Sequence, residues 1–230
     1  MSNLFYGDAE AVFFDLDGTL VDTAPDMVAA LQELQKENGV DPVPYALGRS
    51  HVSNGAMGLL TLAFPDELIT PDCYLMCEFI ERYSEHVCDQ SRIFAGLDKL
   101  LHTLDDAGIP WGVVTNKPGH LTNPIMDILN LADRSACIVS GDTLATRKPD
   151  PAPLFHACTL SDVAPEGCIY VGDALRDIEA GYNAGMATVA AGYGYITADD
   201  DPRDWGADEF VGDSHELAQM VLKAVNLAPA

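Results

Sequence analysis

Basic residues are scarce in this 230-residue chain: 12 Lys and Arg stand against 36 Asp and Glu, a formal net charge of −24. Such a balance repels polyanions, which excludes nucleic acid and anionic membrane surfaces as partners. It does not exclude a small phosphorylated metabolite, which a local lysine, backbone N–H groups and a metal ion can hold. Long apolar runs are also missing. No stretch approaches the ~20 residues of a membrane span, and Met1 to Ala11 carry neither the basic nor the apolar region of a signal peptide. A cytoplasmic location is therefore expected. The 6 cysteines form no C-x-x-C pair and the 6 histidines no HExxH motif. The usual zinc frameworks are thereby removed, and buried, reduced thiols are the expectation. No repeat or low-complexity segment appears. Hydrophobic residues, at 48%, suffice for one large domain or a domain with an insert.

The chain is organised around a stretch near its start. Ala11-Val12-Phe13-Phe14 reads as a short buried strand, and it runs into Asp15-Leu16-Asp17-Gly18-Thr19. Unpaired carboxylates are costly in a core. The two acids therefore belong at the carboxyl end of the strand, where open α/β sheets bind ligands. Residues two apart in an extended segment point to one side, which lets Asp15 and Asp17 address one substrate atom. Gly18 permits a backbone tight enough to bring N–H groups against a phosphate.

From 23 to 90 the pattern is helical. The spacing predicts a helix over 25–38, capped by Asp22 or Thr23 and ended by Gly39. A second helical stretch over 47–64 is broken at Ser53-Asn54-Gly55, and a third covers 71–90. After Gly96 helices alternate with strands, the strands falling at 111–115, 137–140, 168–172, 187–191 and 209–211. Strand–helix alternation predicts a parallel sheet with helices on both faces. The expected fold class is α/β: a Rossmann-like three-layer core built from 1–22 and 91–230, with a helical cap domain, 23–90, inserted after the first strand.

Four strand ends or loops carry polar groups. These are Asp15 with Asp17, Thr115-Asn116-Lys117-Pro118, the loop holding Lys148-Pro149-Asp150-Pro151, and Gly172-Asp173 with Asp177 four residues on. In a parallel sheet they share one edge. The chemistry that needs this set is phosphoryl transfer, in which charge spreads over three oxygens and asks for cations and N–H donors. A carboxylate nucleophile splits such a hydrolysis into two steps through an aspartyl phosphate. Three or more acids at one edge need compensation, which a hard cation with oxygen ligands, Mg²⁺, provides.

In order and spacing, Asp15-x-Asp17-Gly18-Thr19, Thr115, Lys148 and Gly172-Asp173-x-x-x-Asp177 resemble the four motifs of the haloacid dehalogenase superfamily. The resemblance covers the whole core, and 23–90 looks like the helical cap of that superfamily's first subclass. It implies that Asp15 is the nucleophile and a metal ligand, and that Asp17 protonates the leaving oxygen and later activates water. It further implies that Thr115 binds phosphate, that Lys148 bridges phosphate and Asp15, and that Asp173 holds Mg²⁺. By the same resemblance, Asp17 is expected to join the metal through its carbonyl, and Asp177 to support the metal or Lys148.

Thr115-Asn116-Lys117-Pro118, Lys148-Pro149-Asp150-Pro151 and Asn54-Gly55 look like phosphoglycolate phosphatases. Trp111 to Pro118, Leu131 to Ala136, Leu175 to Gly181, Tyr193 to Ile196 and Trp205 to Asp208 look like N-acetylmuramic acid 6-phosphate phosphatases. Both substrates join a phosphate monoester to a carboxylate. Gly18, Thr19 and Asn116 are the expected phosphate contacts. Arg49, Ser53 and Asn54 are the expected contacts to the rest of the substrate, unless Asn54-Gly55 is only a turn between insert helices. Ala174 stands where many relatives carry Asp or Ser. A dehalogenase or a phosphonatase lacks an acid at the Asp17 position, and a phosphonatase needs a lysine in the insert, where Lys36 alone lies. A phosphosugar mutase and a non-catalytic phosphate-binding protein are the remaining alternatives. The protein is expected to be a monomer or a weak homodimer.

Overall fold

A computed structural model of the chain describes residues 7–227. Six strands form one parallel sheet: β1 (Ala11–Phe14), β4 (Trp111–Val114), β5 (Cys137–Val139), β6 (Cys168–Gly172), β7 (Ala187–Ala191) and β8 (Glu209–Val211). Their spatial order is β5-β4-β1-β6-β7-β8. All neighbouring pairs run parallel, with Phe14 opposite Val113 of β4 on one side and Val171 of β6 on the other. β1 is central, and the chain first builds outward to β5, then crosses to β6. The order reverses beside β1, the point where open α/β sheets form a crevice.

Alternation along the strands sorts the side chains into two cores. Val12, Phe14, Val113, Ile169, Val171 and Val189 pack with α5 (Leu97–Ala107), α6 (Gly119–Ile128) and α9 (Ser214–Ala224). Ala11, Phe13, Val114 and Tyr170 pack on the other face with α7 (Ala152–Ser161) and α8 (Leu175–Ala184). The fold is thus the expected three-layer α/β arrangement. The strand expected at 209–211 is present.

Between Asp22 and Arg92 lie four helices: α1 (Ala24–Glu37), α2 (Tyr45–Ser50), α3 (Gly55–Ala63) and α4 (Tyr74–Glu85). The break at 53–55 is a 3₁₀ turn, Val52–Asn54, ahead of α3. Met27, Leu31 and Leu34 of α1 are buried, as its periodicity requires. A short antiparallel ribbon, β2 (Val21–Asp22) against β3 (Arg92–Ile93), brackets these helices. Its strands are too short to leave a period in the sequence. The returning chain is fastened by Asp26, buried in α1, which accepts from the N–H groups of Gln90 and Ser91 and from the Ser91 hydroxyl at 2.6–3.1 Å.

Two local expectations are corrected. The helix read over 71–90 is shorter, because Cys73 sits in extended backbone before Tyr74 and the chain turns after Glu85 to reach Asp26. Neither Asp22 nor Thr23 caps α1 with its side chain. The Tyr195 hydroxyl does so, accepting from the N–H groups of Thr23 (2.7 Å) and Ala24 (2.9 Å) while donating to Asp22 Oδ1. The described cysteines are free thiols, as expected. Cys77 is nevertheless exposed on α4, and Cys73, just ahead of that helix, is only partly covered where it packs on the edge of the core.

Candidate active site

The carboxyl ends of β1, β4 and β6 are neighbours, so the residues that follow them converge. Asp15 follows β1 and extends its ladder, donating its N–H to Val171 O (2.9 Å). Its Oδ1 accepts from the Leu16 N–H (2.8 Å) and faces Lys148 Nζ at 3.0 Å. Asp15 Oδ2 has no hydrogen-bond partner among the described residues. One oxygen is anchored and the other is free, the geometry a nucleophilic carboxylate needs.

Lys148 is 2% exposed. Its ammonium contacts Asp15 Oδ1, Asp177 Oδ1 (2.7 Å), the Val114 carbonyl (2.9 Å) and the Tyr170 hydroxyl (2.7 Å), which itself donates to Val114 O. Burial pushes the Tyr170 phenol well above its usual range, so it stays neutral. The Lys148 carbonyl accepts from Asn116 Nδ2 (2.9 Å), which ties its loop to the end of β4.

Asp15, Asp173 and Asp177 each offer a carboxylate oxygen, and these oxygens lie within 4.8 Å of one another. Burial, then the charges of Asp15 and Asp177, push the Asp173 carboxyl up to about 7. Burial raises Asp177 as well, with Lys148 opposing. Asp173 Oδ2 accepts from Ser53 Oγ (2.6 Å) and Tyr195 N–H (2.8 Å), whereas Oδ1 is buried with no hydrogen-bond partner. Gly18 (φ +80°) and Gly194 both press on this carboxylate. A Cβ on either would lie within 2.5 Å of an Asp173 side-chain atom, so only glycine fits. An orphaned carboxylate oxygen among crowded, buried acids fits a hard divalent cation.

Asp17 does not join this group with its side chain. Its Oδ1 accepts from Thr23 Oγ1 (2.5 Å) and Lys117 Nζ (2.9 Å). Thr115 is buried, with its hydroxyl accepting from Lys117 N–H (3.2 Å). Thr19 Oγ1 and Asn116 Oδ1 are buried and unpartnered. Asp177 has both oxygens engaged, Oδ1 by Lys148 and Oδ2 by the Ala174 N–H (3.1 Å).

The insert reaches this edge through Ser53 and Arg49. The Arg49 guanidinium donates to Gly194 O (3.2 Å) and Tyr193 O (3.5 Å), and sits 4.7 Å from the Tyr195 ring centre. Asn54 is exposed and hydrogen-bonds nothing through its side chain among the described residues, so it is not brought to Asp173 as Ser53 is.

Sequence reasoning missed four participants. Tyr170 reads as one more apolar residue of β6. Tyr195 and Tyr193 lie in a loop where only their aromatic character shows, yet Tyr193 donates to Thr19 O (2.8 Å). Arg176 donates to Ser53 O (2.7 Å). Burial works against the charge of Arg176, but Asp177, Asp15 and Asp173 outweigh it and hold the guanidinium above its usual value. The acid Asp177 beside Arg176 was the available signal.

A family model described as haloacid dehalogenase-like hydrolase matches residues 12–191. The chain belongs to this family. The hydrolase is 43% identical over 217 residues to an N-acetylmuramic acid 6-phosphate phosphatase of Pseudomonas aeruginosa, covering 94% of this chain and 96% of that protein. It is also 43% identical over 207 residues to a phosphoglycolate phosphatase of Xanthomonas campestris pv. campestris, covering 90% and 94%. The crystal structure of a predicted phosphoglycolate phosphatase from Haemophilus somnus matches the hydrolase with a TM-score of 0.81 at 27% identity, over 93% of this chain and 97% of that one. Among the described residues no helix is long and apolar enough to cross a membrane.

Proposed function

We propose that the hydrolase cleaves phosphate monoesters through an aspartyl phosphate on Asp15, and that its substrate is a small carboxylate-bearing phosphate such as phosphoglycolate. The observation that carries this reading is the asymmetry of Asp15, with Oδ1 held by Lys148 and the Leu16 N–H and Oδ2 free, in a cluster with two further acids, Asp173 and Asp177. Asp15 Oδ2 attacks phosphorus, and Asp17 gives a proton to the departing oxygen. Water then attacks the phosphoryl group on Asp15, and Asp17 takes its proton, which restores both acids. Thr115, the unpaired Thr19 hydroxyl and the backbone at Gly18 face the phosphoryl oxygens, with Asn116 bracing the Lys148 loop. Asp15, Asp173 and the Asp17 carbonyl would hold Mg²⁺, with Asp177 supporting them through Lys148. When bound, Mg²⁺ neutralises the charge of the transferring phosphoryl group.

In this reading 23–90 is a cap over the core of 1–22 and 91–230. Its Arg49, Ser53 and Asn54 meet the part of the substrate beyond the phosphate. The free thiols suit a reducing compartment, and we assign the enzyme to the cytoplasm, acting as a monomer or a weak homodimer. A second reading, hydrolysis of N-acetylmuramic acid 6-phosphate, is favoured by the longer alignment with the Pseudomonas relative, 94% of the chain against 90%. The deciding experiment is phosphate release from a panel of monoesters in MgCl₂, with 2-phosphoglycolate and N-acetylmuramic acid 6-phosphate side by side. Release from a carboxylate-bearing member supports the assignment, and release from none overturns it.

A further inference from the structure

Lys117 is a core residue whose ammonium is buried at the seam with the insert; the residue is 8% exposed. Its backbone is fixed from three directions. The N–H donates to Thr115 Oγ1, and the carbonyl accepts from Gly141 N–H (2.9 Å) and Thr122 Oγ1 (3.2 Å). Its Nζ donates to Asp17 Oδ1 (2.9 Å) and to the Tyr83 hydroxyl (2.9 Å), lies 3.9 Å from the Met27 sulfur, and sits 4.6 Å from the Tyr83 ring centre. Tyr83 and Met27 come from α4 and α1 of the insert. Tyr83 is fully buried, and desolvation keeps its phenol neutral, so its oxygen is a fit acceptor for an ammonium.

Asp17 is held asymmetrically by this arrangement. Thr23 Oγ1 and Lys117 Nζ both address Oδ1, and Oδ2 has no hydrogen-bond partner among the described residues. A carboxylate free to rotate presents either oxygen in many directions. One pinned at Oδ1 by two donors presents Oδ2 in one. Proton transfer demands that alignment, since the donor oxygen must sit within hydrogen-bond reach of the departing oxygen.

Resting on the phosphatase reading above, we propose that Lys117 is a positioning residue: clamped by Tyr83 of the insert, its ammonium pins Oδ1 of Asp17 so that Oδ2 meets the leaving oxygen. It touches no reacting atom itself. The insert thereby reaches the acid/base group through Tyr83 and Lys117, apart from its contact to Asp173 through Ser53.

A leaving-group comparison tests this. An aryl phosphate expels a weakly basic phenolate that needs little protonation, whereas an alkyl phosphate needs the acid. Phosphorylation and hydrolysis of the phosphoenzyme are followed in the full-length enzyme by rapid quench, with p-nitrophenyl phosphate and with whichever alkyl monoester the wild type accepts. Lys117→Met is expected to slow the alkyl phosphorylation step by roughly tenfold to a hundredfold, a fraction of what general acid catalysis supplies. The aryl burst should change less than about threefold, and KM for both substrates less than about twofold. Lys117→Arg should recover part of the loss. The near-isosteric Tyr83→Phe should give a smaller loss of the same selectivity and add nothing in the Lys117→Met background. Circular dichroism and thermal melts check that each variant is folded; if Lys117→Met fails this, Tyr83→Phe alone decides by the same selectivity. Equal losses on both leaving groups, or independent losses from the two substitutions, would overturn the proposal and leave Lys117 a structural residue. A wild-type enzyme inert toward every monoester would instead overturn the phosphatase reading.

Discussion

Ser53 of the insert donates its hydroxyl across 2.6 Å to Oδ2 of Asp173 at the end of β6. That oxygen also accepts from Tyr195 N–H. Both donors favour the ionised acid, yet burial and the neighbouring carboxylates prevail and hold its carboxyl near 7. The acids therefore strain against their own charge, which a bound cation would relieve.

Stability of the metal-free protein should register that strain. Asp173 titrates near 7 in the folded chain against 3.8 as the ordinary value. Because the folded-state value is the higher one, the unfolded chain loses this proton first, and stability falls as pH climbs from about 4 to about 7, then levels off. The difference corresponds to on the order of 4 kcal/mol. Asp173→Asn keeps an acceptor for Ser53 and Tyr195 without the charge. In chelator it should melt several degrees above wild type at pH 8 and by a clearly smaller margin at pH 5. Added MgCl₂ should raise the wild-type Tm more at pH 8 than at pH 5 and leave Asp173→Asn nearly unmoved. A pH-independent difference between the two proteins would contradict the assignment.

Asp15→Asn should abolish turnover, by at least about a thousandfold in kcat/KM, because an amide forms no acyl phosphate. It also removes one carboxylate that crowds Asp173, so the metal-free variant should be no less stable than wild type. The measurement is phosphate release by protein verified as free of deamidation by mass spectrometry. Retained activity of more than a few per cent would move the nucleophile elsewhere.

Lys148 stands between Asp15 and Asp177 and is almost wholly withdrawn from solvent. Removing one member of a buried ion group leaves uncompensated charge and costs about 3–5 kcal/mol. Lys148→Met should therefore lose both activity and stability, with the stability loss smaller at pH 5 than at pH 8, because Asp173 and Asp177 take up protons more readily there. Tyr170→Phe removes one hydroxyl that accepts from Lys148 and should cost about 1–2 kcal/mol. Denaturant unfolding at the two pH values checks both.

Much of this site could be read from the chain because its chemistry is local. Asp15 and Asp17 follow an apolar strand directly, and Gly172-Asp173 ends another, so strand ends placed them together before any contact was known. The strand over 187–191 was equally readable, since Gly185 marks the break ahead of it. What stayed hidden depends on distant partners. The cap of α1 is a hydroxyl 172 residues beyond Thr23, and Lys117 meets a tyrosine 34 residues earlier in the chain. Tyr170 carries its function on one oxygen of a ring that otherwise packs like Phe13. The ribbon at 21–22 and 92–93 is two residues per strand, below the length at which alternation means anything.

The proposed part of the insert in specificity turns on Arg49. Its guanidinium is occupied by two neutral carbonyls, those of Gly194 and Tyr193, and lies over the Tyr195 ring. A substrate carboxylate is the stronger acceptor, since it meets the guanidinium with a full opposite charge and two parallel bonds where the carbonyls offer only dipoles. Exchange of carbonyls for carboxylate is therefore favourable, and Tyr195 keeps the side chain at hand while the exchange occurs. Arg49→Ala should raise KM for the carboxylate-bearing substrate by roughly tenfold or more, with p-nitrophenyl phosphate changed less than about twofold. Arg49→Lys should recover little, because an ammonium offers no planar fork. Asn54→Ala should be milder than Arg49→Ala, since Asn54 is exposed and makes no side-chain contact at the site. Steady-state kinetics on the two substrates supply the test. Equal losses on both would show that Arg49 serves only to fasten the insert to the 193–195 loop, and the carboxylate would then have to be met by another cation, for which Arg176, bonded to Ser53 O, is the nearest candidate on the core side.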